Sequence, residues 1–97
     1  MKLKKLPKLN NKNFNYKFYL VYWIDINSTC SWENLKTIEN YLPTICISTG
    51  WLVSTSNNCH KFVSDVSFED NGTILEVGNT TTIPNQNIIK MKKVTIC

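Results

Sequence analysis

The stretch Lys17 to Asp25, Lys-Phe-Tyr-Leu-Val-Tyr-Trp-Ile-Asp, constrains the chain more than any other part of it. It is dense in aromatic and β-branched residues, which fit a pleated strand and lose rotamer freedom in a helix. Successive strand residues point to opposite faces, so Phe18, Leu20, Tyr22 and Ile24 lie on one side and Tyr19, Val21 and Trp23 on the other. Both faces are apolar. One fills a core, and the other needs a helix, the preceding arm or another subunit to cover it. A homo-oligomer is therefore expected, with a dimer as the default. With 97 residues there is material for one core and one domain.

The remaining elements follow from the same patterning. Ser31 to Leu42 reads as the one helix, with Ser31 as N-cap, Glu33 and Asn34 in the first turn and Pro43 closing it. Its apolar stripe is Trp32, Leu35, Ile38 and either Tyr41 or Leu42. Thr44 to Thr55 alternates as a strand with Ile45, Ile47, Trp51 and Val53 inward, and Gly50 marks a bulge or a close backbone approach. Ser56, Asn57 and Asn58 turn the chain into a strand from His60 to Asp70, in which Phe62, Val66 and Phe68 share a face. Asn71-Gly72 is a two-residue hairpin signal leading into Thr73 to Ile83. Pro84 to Ile88 forms a single helical turn, and Ile89 to Ile96 supplies a closing strand with lysines on an edge. The expected fold is mainly β: a small five-stranded SH3-like barrel or roll with one inserted α-helix, spanning residues 17–97. Residues 1–16, broken by Pro7 and four asparagines, form a basic and flexible N-terminal arm, on which Leu3, Leu6 and Leu9 can share one side of a helical turn.

The net charge of +4 is unevenly spread. Residues 1–17 hold six lysines and no acid, residues 90–97 hold three lysines and no acid, and residues 18–89 hold two lysines against seven acids. The middle is acidic and the ends are cationic, so a polyanion is attracted only where the two ends lie side by side. Closure of the sheet would bring the arm near Lys90, Lys92 and Lys93. The absence of arginine removes the bidentate fork that reads guanine and clamps phosphate, which disfavours sequence-specific DNA recognition.

Chemistry is sparsely encoded. His60 directly follows Cys59, and neighbouring strand residues face opposite ways, so the two do not make a nucleophile and base pair. Asp25, Asp65, Glu69 and Asp70 read as solvated charges, and Gly50, Gly72 and Gly78 are too far apart for a phosphate loop. Cys30, Cys46, Cys59 and Cys97 contain no C-x-x-C pair, so zinc is not expected, nor any other metal or cofactor. No signal core follows Met1, the thiols are read as reduced in an intracellular protein, and no apolar run approaches the ~18 residues of a membrane span. What remains is an excess of aromatic rings with clustered lysines. Trp23, Trp32 and Trp51 are the candidates for stacking on a base, and Lys90, Lys92 and Lys93 for neutralising phosphate.

Taken together, Trp23-x-Asp25, Ser31-Trp32, Thr49-Gly50-Trp51-Leu52 and Thr82-Ile83-Pro84 resemble a pattern in small, mostly uncharacterised accessory proteins of tailed bacteriophages, over Tyr19 to about Ile89. Asn85 and Gln86 stand where that pattern often has a glycine and a basic residue. The resemblance implies a phage protein acting in the host cytoplasm and supplies no activity. The expected function is a non-enzymatic role in counter-defence or host takeover, in which a homo-oligomer sequesters an anionic nucleotide signal or short oligonucleotide. The alternatives are an inhibitor that binds a host protein through its exposed aromatic strand, a general single-stranded nucleic-acid-binding module, and a small hydrolase using Asp25, Asp65 or His60.

Overall fold

The computed structural model describes residues 5–95, so Leu3 of the arm, Ile96 of the expected closing strand and Cys97 lie outside the described residues. The described chain forms β1 (Lys17–Asp25), α1 (Leu35–Glu39), β2 (Thr44–Ser56), β3 (Cys59–Phe68), β4 (Ile74–Pro84), a 3-10 turn (Asn85–Asn87) and β5 (Ile88–Val94). The strands make one antiparallel sheet in the order β4-β3-β2-β1-β5. The mainly β class and the five strands agree with the sequence pattern. The sheet is open, with β4 and β5 as its edges, so the ring of pairings that a barrel requires is not formed.

Register assigns the two faces of β1. Tyr19, Val21 and Trp23 lie across from Gly50, Ser48 and Cys46 of β2, and Val21 lies across from Met91 of β5. This face holds the main core, where Val21, Phe62 and Ile83 are buried and Tyr19, Trp23, Leu52, Ile88 and Met91 pack around them. The opposite face carries Phe18, Leu20, Tyr22 and Ile24 across from Trp51, Thr49, Ile47 and Ile45. That register overturns the inward assignment of Ile45 and Ile47, which are 64% and 58% exposed. In β2 it is the small residues Cys46, Ser48 and Gly50 that face the core side, because the bulky side chains of Val21 and Trp23 opposite them already fill the space. The close approach expected at Gly50 is present: a Cβ there would lie 3.0 Å from the Val63 carbonyl oxygen. The irregularity of β2 falls instead between Leu52 and Ser54.

Turn chemistry sets the connections. Asn57 and Asn58 have φ of 56° and 59° and join Ser56 to Cys59, the two-residue geometry whose twist matches the flanking strands. The Asn71-Gly72 turn is longer than expected. Only Gly72 takes a positive φ, of 89°, while Glu69 N–H donates to the Thr73 carbonyl at 2.8 Å and Gly72 N–H to the Glu69 carbonyl at 3.0 Å. Asn71 uses its side chain instead of a left-handed backbone: its Oδ1 accepts from the Thr73 amide and hydroxyl at 3.0 and 2.7 Å.

The helix is shorter than its periodicity suggests. Asn34, not Ser31, is the N-cap, accepting from the Thr37 amide at 2.8 Å, and Asn40 closes the C-terminus. Asparagines at both positions satisfy free backbone groups better than they fit a helix interior. None of the five helical residues is buried, so nothing offsets the cost of extending so short a helix.

Candidate anionic-ligand cleft

The asparagine-rich segment folds into a local knot. Asn10 Oδ1 accepts from the amides of Lys12 at 2.8 Å and Asn13 at 3.2 Å, Asn13 Oδ1 accepts from the Asn10 amide at 3.0 Å, and Phe14 N–H donates to the Asn10 carbonyl at 2.8 Å. Asn13 Nδ2 ties the knot outward, to the Lys8 carbonyl at 2.7 Å and the Gly72 carbonyl at 3.3 Å. These short polar side chains replace a helix or strand with side chain to backbone bonds, which is why the segment has no periodicity. The knot drives Phe14 onto the sheet, where it is only 7% exposed. Its ring stands edge-on to Tyr16 and Trp51, each at 5.3 Å, and tilted to Phe68 at 6.3 Å. Phe18 also meets Trp51 edge-on, at 5.2 Å.

Between this segment and the β1–β5 edge lies a cleft of ≈ 480 Å³. Its walls include Lys8 from the knot, Lys17 at the start of β1 and Lys93 near the end of β5, together with Phe14, Tyr16, Phe18 and Trp51. Among the described residues, no aspartate or glutamate lines it. The antiparallel pairing of β1 with β5 is what joins the cationic ends: Tyr19 lies across from Lys93 and Phe18 across from Val94. A second, larger cleft of ≈ 690 Å³ runs between residues 5–13 and the β3–β4 turn, but Glu69 and Asp70 line it beside Lys5 and Lys8, so its field is mixed.

The six residues expected from sequence are not gathered in one place. Trp51 and Lys93 line the cleft. Trp23 packs against the main core and donates Nε1–H to Ser48 Oγ at 3.0 Å, so its ring is held by the fold. Trp32 is wholly exposed in the β1–β2 excursion. Lys90 and Lys92 lie across from Tyr22 and Leu20, on the sheet face opposite the main core. Lys8, Lys17, Tyr16, Phe14 and Phe18 join Trp51 and Lys93 without being among the residues expected at the site; the convergence of the basic arm with the β5 lysines follows from the pairing of first and last strands.

Of the groups weighed for catalysis, Asp25 Oδ1 accepts from the neighbouring Ile26 amide at 2.9 Å, and His60 and Asp65 bond to asparagine side chains. His60 Nδ1 is 2.6 Å from Asn85 Oδ1, its ring stacks on Phe62 at 6.2 Å, and the Asn85 amide donates to the Asn58 carbonyl at 2.9 Å, so this histidine anchors the 3-10 turn. Asp65 accepts a hydrogen bond from Asn79 Nδ2, which holds Asn79 in β4 at a φ of 54°. Among the described residues no group of three or more His, Cys, Asp or Glu side chains is placed to hold a metal ion, and Cys30, Cys46 and Cys59 are free thiols. Among them, too, no helix is long and apolar enough to cross a membrane. Comparison with protein-family models, curated proteins and solved structures finds no match to the chain.

Proposed function

We propose that the chain is a non-catalytic binding module that holds an anionic ligand with a planar ring, a nucleotide or short oligonucleotide, in the cleft between residues 8–11 and the β1–β5 edge. The observation that carries this reading is the lining itself: among the described residues, three lysines from separate parts of the chain and four aromatic rings share one space that no aspartate or glutamate lines. Lysine ammonium groups neutralise phosphate as point charges, and aromatic side chains accept any base face, so the site favours class of ligand over sequence. The strand order, with a single 3-10 turn joining the two edge strands, supports an SH3-like reading of the domain. The phage pattern in the sequence supplies the setting, an accessory protein that sequesters its ligand in the host cytoplasm.

The test is fluorescence anisotropy and calorimetry on the full chain at low salt, using labelled single-stranded oligonucleotides of graded length and free nucleotides. The expected result is binding that weakens in Lys8→Gln, Lys17→Gln and Lys93→Gln, while Lys36→Gln, outside the cleft, leaves it unchanged. Affinity that keeps rising with oligonucleotide length would select the general single-stranded module over a nucleotide trap. No binding of either ligand class at low salt would overturn the proposal.

A protein partner is the second reading, favoured by the apolar surface that the fold leaves open. Ile26, Trp32, Leu35, Leu42, Ile45 and Ile47 are all exposed and belong to β2 or to the excursion that precedes it.

A further inference from the structure

The chain exposes 8137 Å², whereas a compact monomer of its 11.2 kDa exposes about 5,700 Å². Its radius of gyration is 18.6 Å, against about 12.5 Å for a compact domain of this length. The surplus is of the order of 2,400 Å² per chain. That exceeds the ~800 Å² each partner contributes to an interface of standard size and, counted over two chains, reaches the roughly 2,000–5,000 Å² total of obligate homodimers.

Two apolar surfaces of the same chain each lack a cover. The first is the part of the sheet face opposite the main core that Phe14 does not cover, where Ile45 and Ile47 stand largely exposed across from Ile24 and Tyr22. The second is the excursion over residues 26–43, whose helix buries no residue and leaves Trp32, Leu35 and Ile38 in solvent. A sheet face without a helix and a helix without a sheet are complementary. Their charges are complementary as well. The excursion carries Glu33 and Glu39 against one cation, Lys36, while Lys90 and Lys92 border the bare sheet face from β5. Edge-to-edge pairing fits less well, because the positive φ of Asn79 interrupts the extended backbone of β4 and three lysines line β5.

We propose that a second copy of this chain covers the face, in a two-fold dimer in which each protomer lays its 26–43 excursion across the Ile45 and Ile47 face of the other. Such an exchange is isologous, so both uncovered surfaces disappear in one contact. Lys90 and Lys92 then meet Glu33 and Glu39 of the other copy, which assigns these two lysines to assembly and leaves Lys8, Lys17 and Lys93 at the cleft.

The experiment is sedimentation equilibrium of the full chain at micromolar concentration, with small-angle scattering and circular dichroism on the same samples. A mass twice that of one chain is expected. Ile47→Glu places a carboxylate under the acidic excursion and is expected to raise the dissociation constant about tenfold or more with the β signature intact. The pair Lys90→Glu and Lys92→Glu is expected to weaken the dimer similarly, and adding Glu33→Lys and Glu39→Lys is expected to restore it. This restoration decides the matter even where Ile47→Glu does not fold. A wild-type monomer with a compact radius, its excursion folded back on its own sheet, would overturn the proposal. So would a dimer indifferent to the charge reversals, or a single chain paired with a foreign protein or nucleic acid on this face. Ligand binding at the cleft is measured with different residues, so either result stands without the other.

Discussion

Phe14 and Trp51 stand edge to face with ring centroids 5.3 Å apart, and this one contact fastens residues 8–16 to the middle of β2. Aromatic pairs at this distance and angle contribute about 0.5–1.5 kcal/mol beyond the area they bury. Phe14 also touches Tyr16 and Phe68, so it ties three stretches of sequence together on the side away from the main core.

Phe14→Ala is expected to destabilise the chain by about 3 kcal/mol, through lost transfer energy and an unfilled space beside Trp51. Chemical denaturation measures the loss. Hydrogen exchange adds the local consequence, faster exchange at the Phe14 amide, which donates to Asn10 in the folded chain. Unchanged exchange there would mean that the asparagine knot holds the segment without the ring.

Gly50→Ala tests the close approach of β2 to β3. The added methyl group would meet the Val63 carbonyl oxygen at 3.0 Å and Phe62 Cβ at 3.1 Å, and neither is the end of a flexible side chain. The expected cost is about 1–3 kcal/mol, read as a lower denaturation midpoint at unchanged slope.

At the β2–β3 turn, Asn58→Gly and Asn58→Val are expected to move stability in opposite directions. Asn58 has a φ of 59°, a conformation open to glycine and strongly disfavoured for a β-branched side chain. Glycine is expected to be neutral or stabilising by a few tenths of a kcal/mol, as in Asn-Gly hairpin turns, and valine to cost about 1–2 kcal/mol. Paired thermal melts of the two variants check the sign.

Salt dependence separates phosphate contact from stacking. If Lys8, Lys17 and Lys93 each neutralise one phosphate of a single strand, the slope of log affinity against log salt is about −2. Each lysine-to-glutamine change is then expected to flatten the slope by about 0.7. Trp51→Phe is expected to lower affinity while leaving the slope alone, because stacking releases no counterions.

The strands were legible because their patterning is local. Lys17–Asp25 appears in the structure with the same bounds, and the two-residue turn at Asn57 and Asn58 lies where the polar residues interrupt the apolar run. The faces were less legible. Alternation groups Ile45 with Ile47 and Trp51 but does not say which group is covered, and the sheet chose the side on which small residues admit Val21 and Trp23. Helix length failed for a related reason: the apolar stripe of residues 32–42 reports an affinity for a surface, and the fold supplies none within the chain. In the cleft, Trp51 and Lys93 were legible as residue types, but Lys8 and Lys17 depended on the knot made by Asn10 and Asn13. That knot is a matter of individual hydrogen bonds, on which periodicity is silent.

The pairing of β1 with β5 also orders events in time. Tyr22 and Lys90 are partners across the sheet although 67 intervening residues must be synthesised between them. The β2–β3 and β3–β4 hairpins need only local closure and can form while the chain is still being made. The outer edge of β1 has no such early partner. Until residues 88–94 are made, that aromatic edge lacks its partner, so completion of the sheet waits on the last strand.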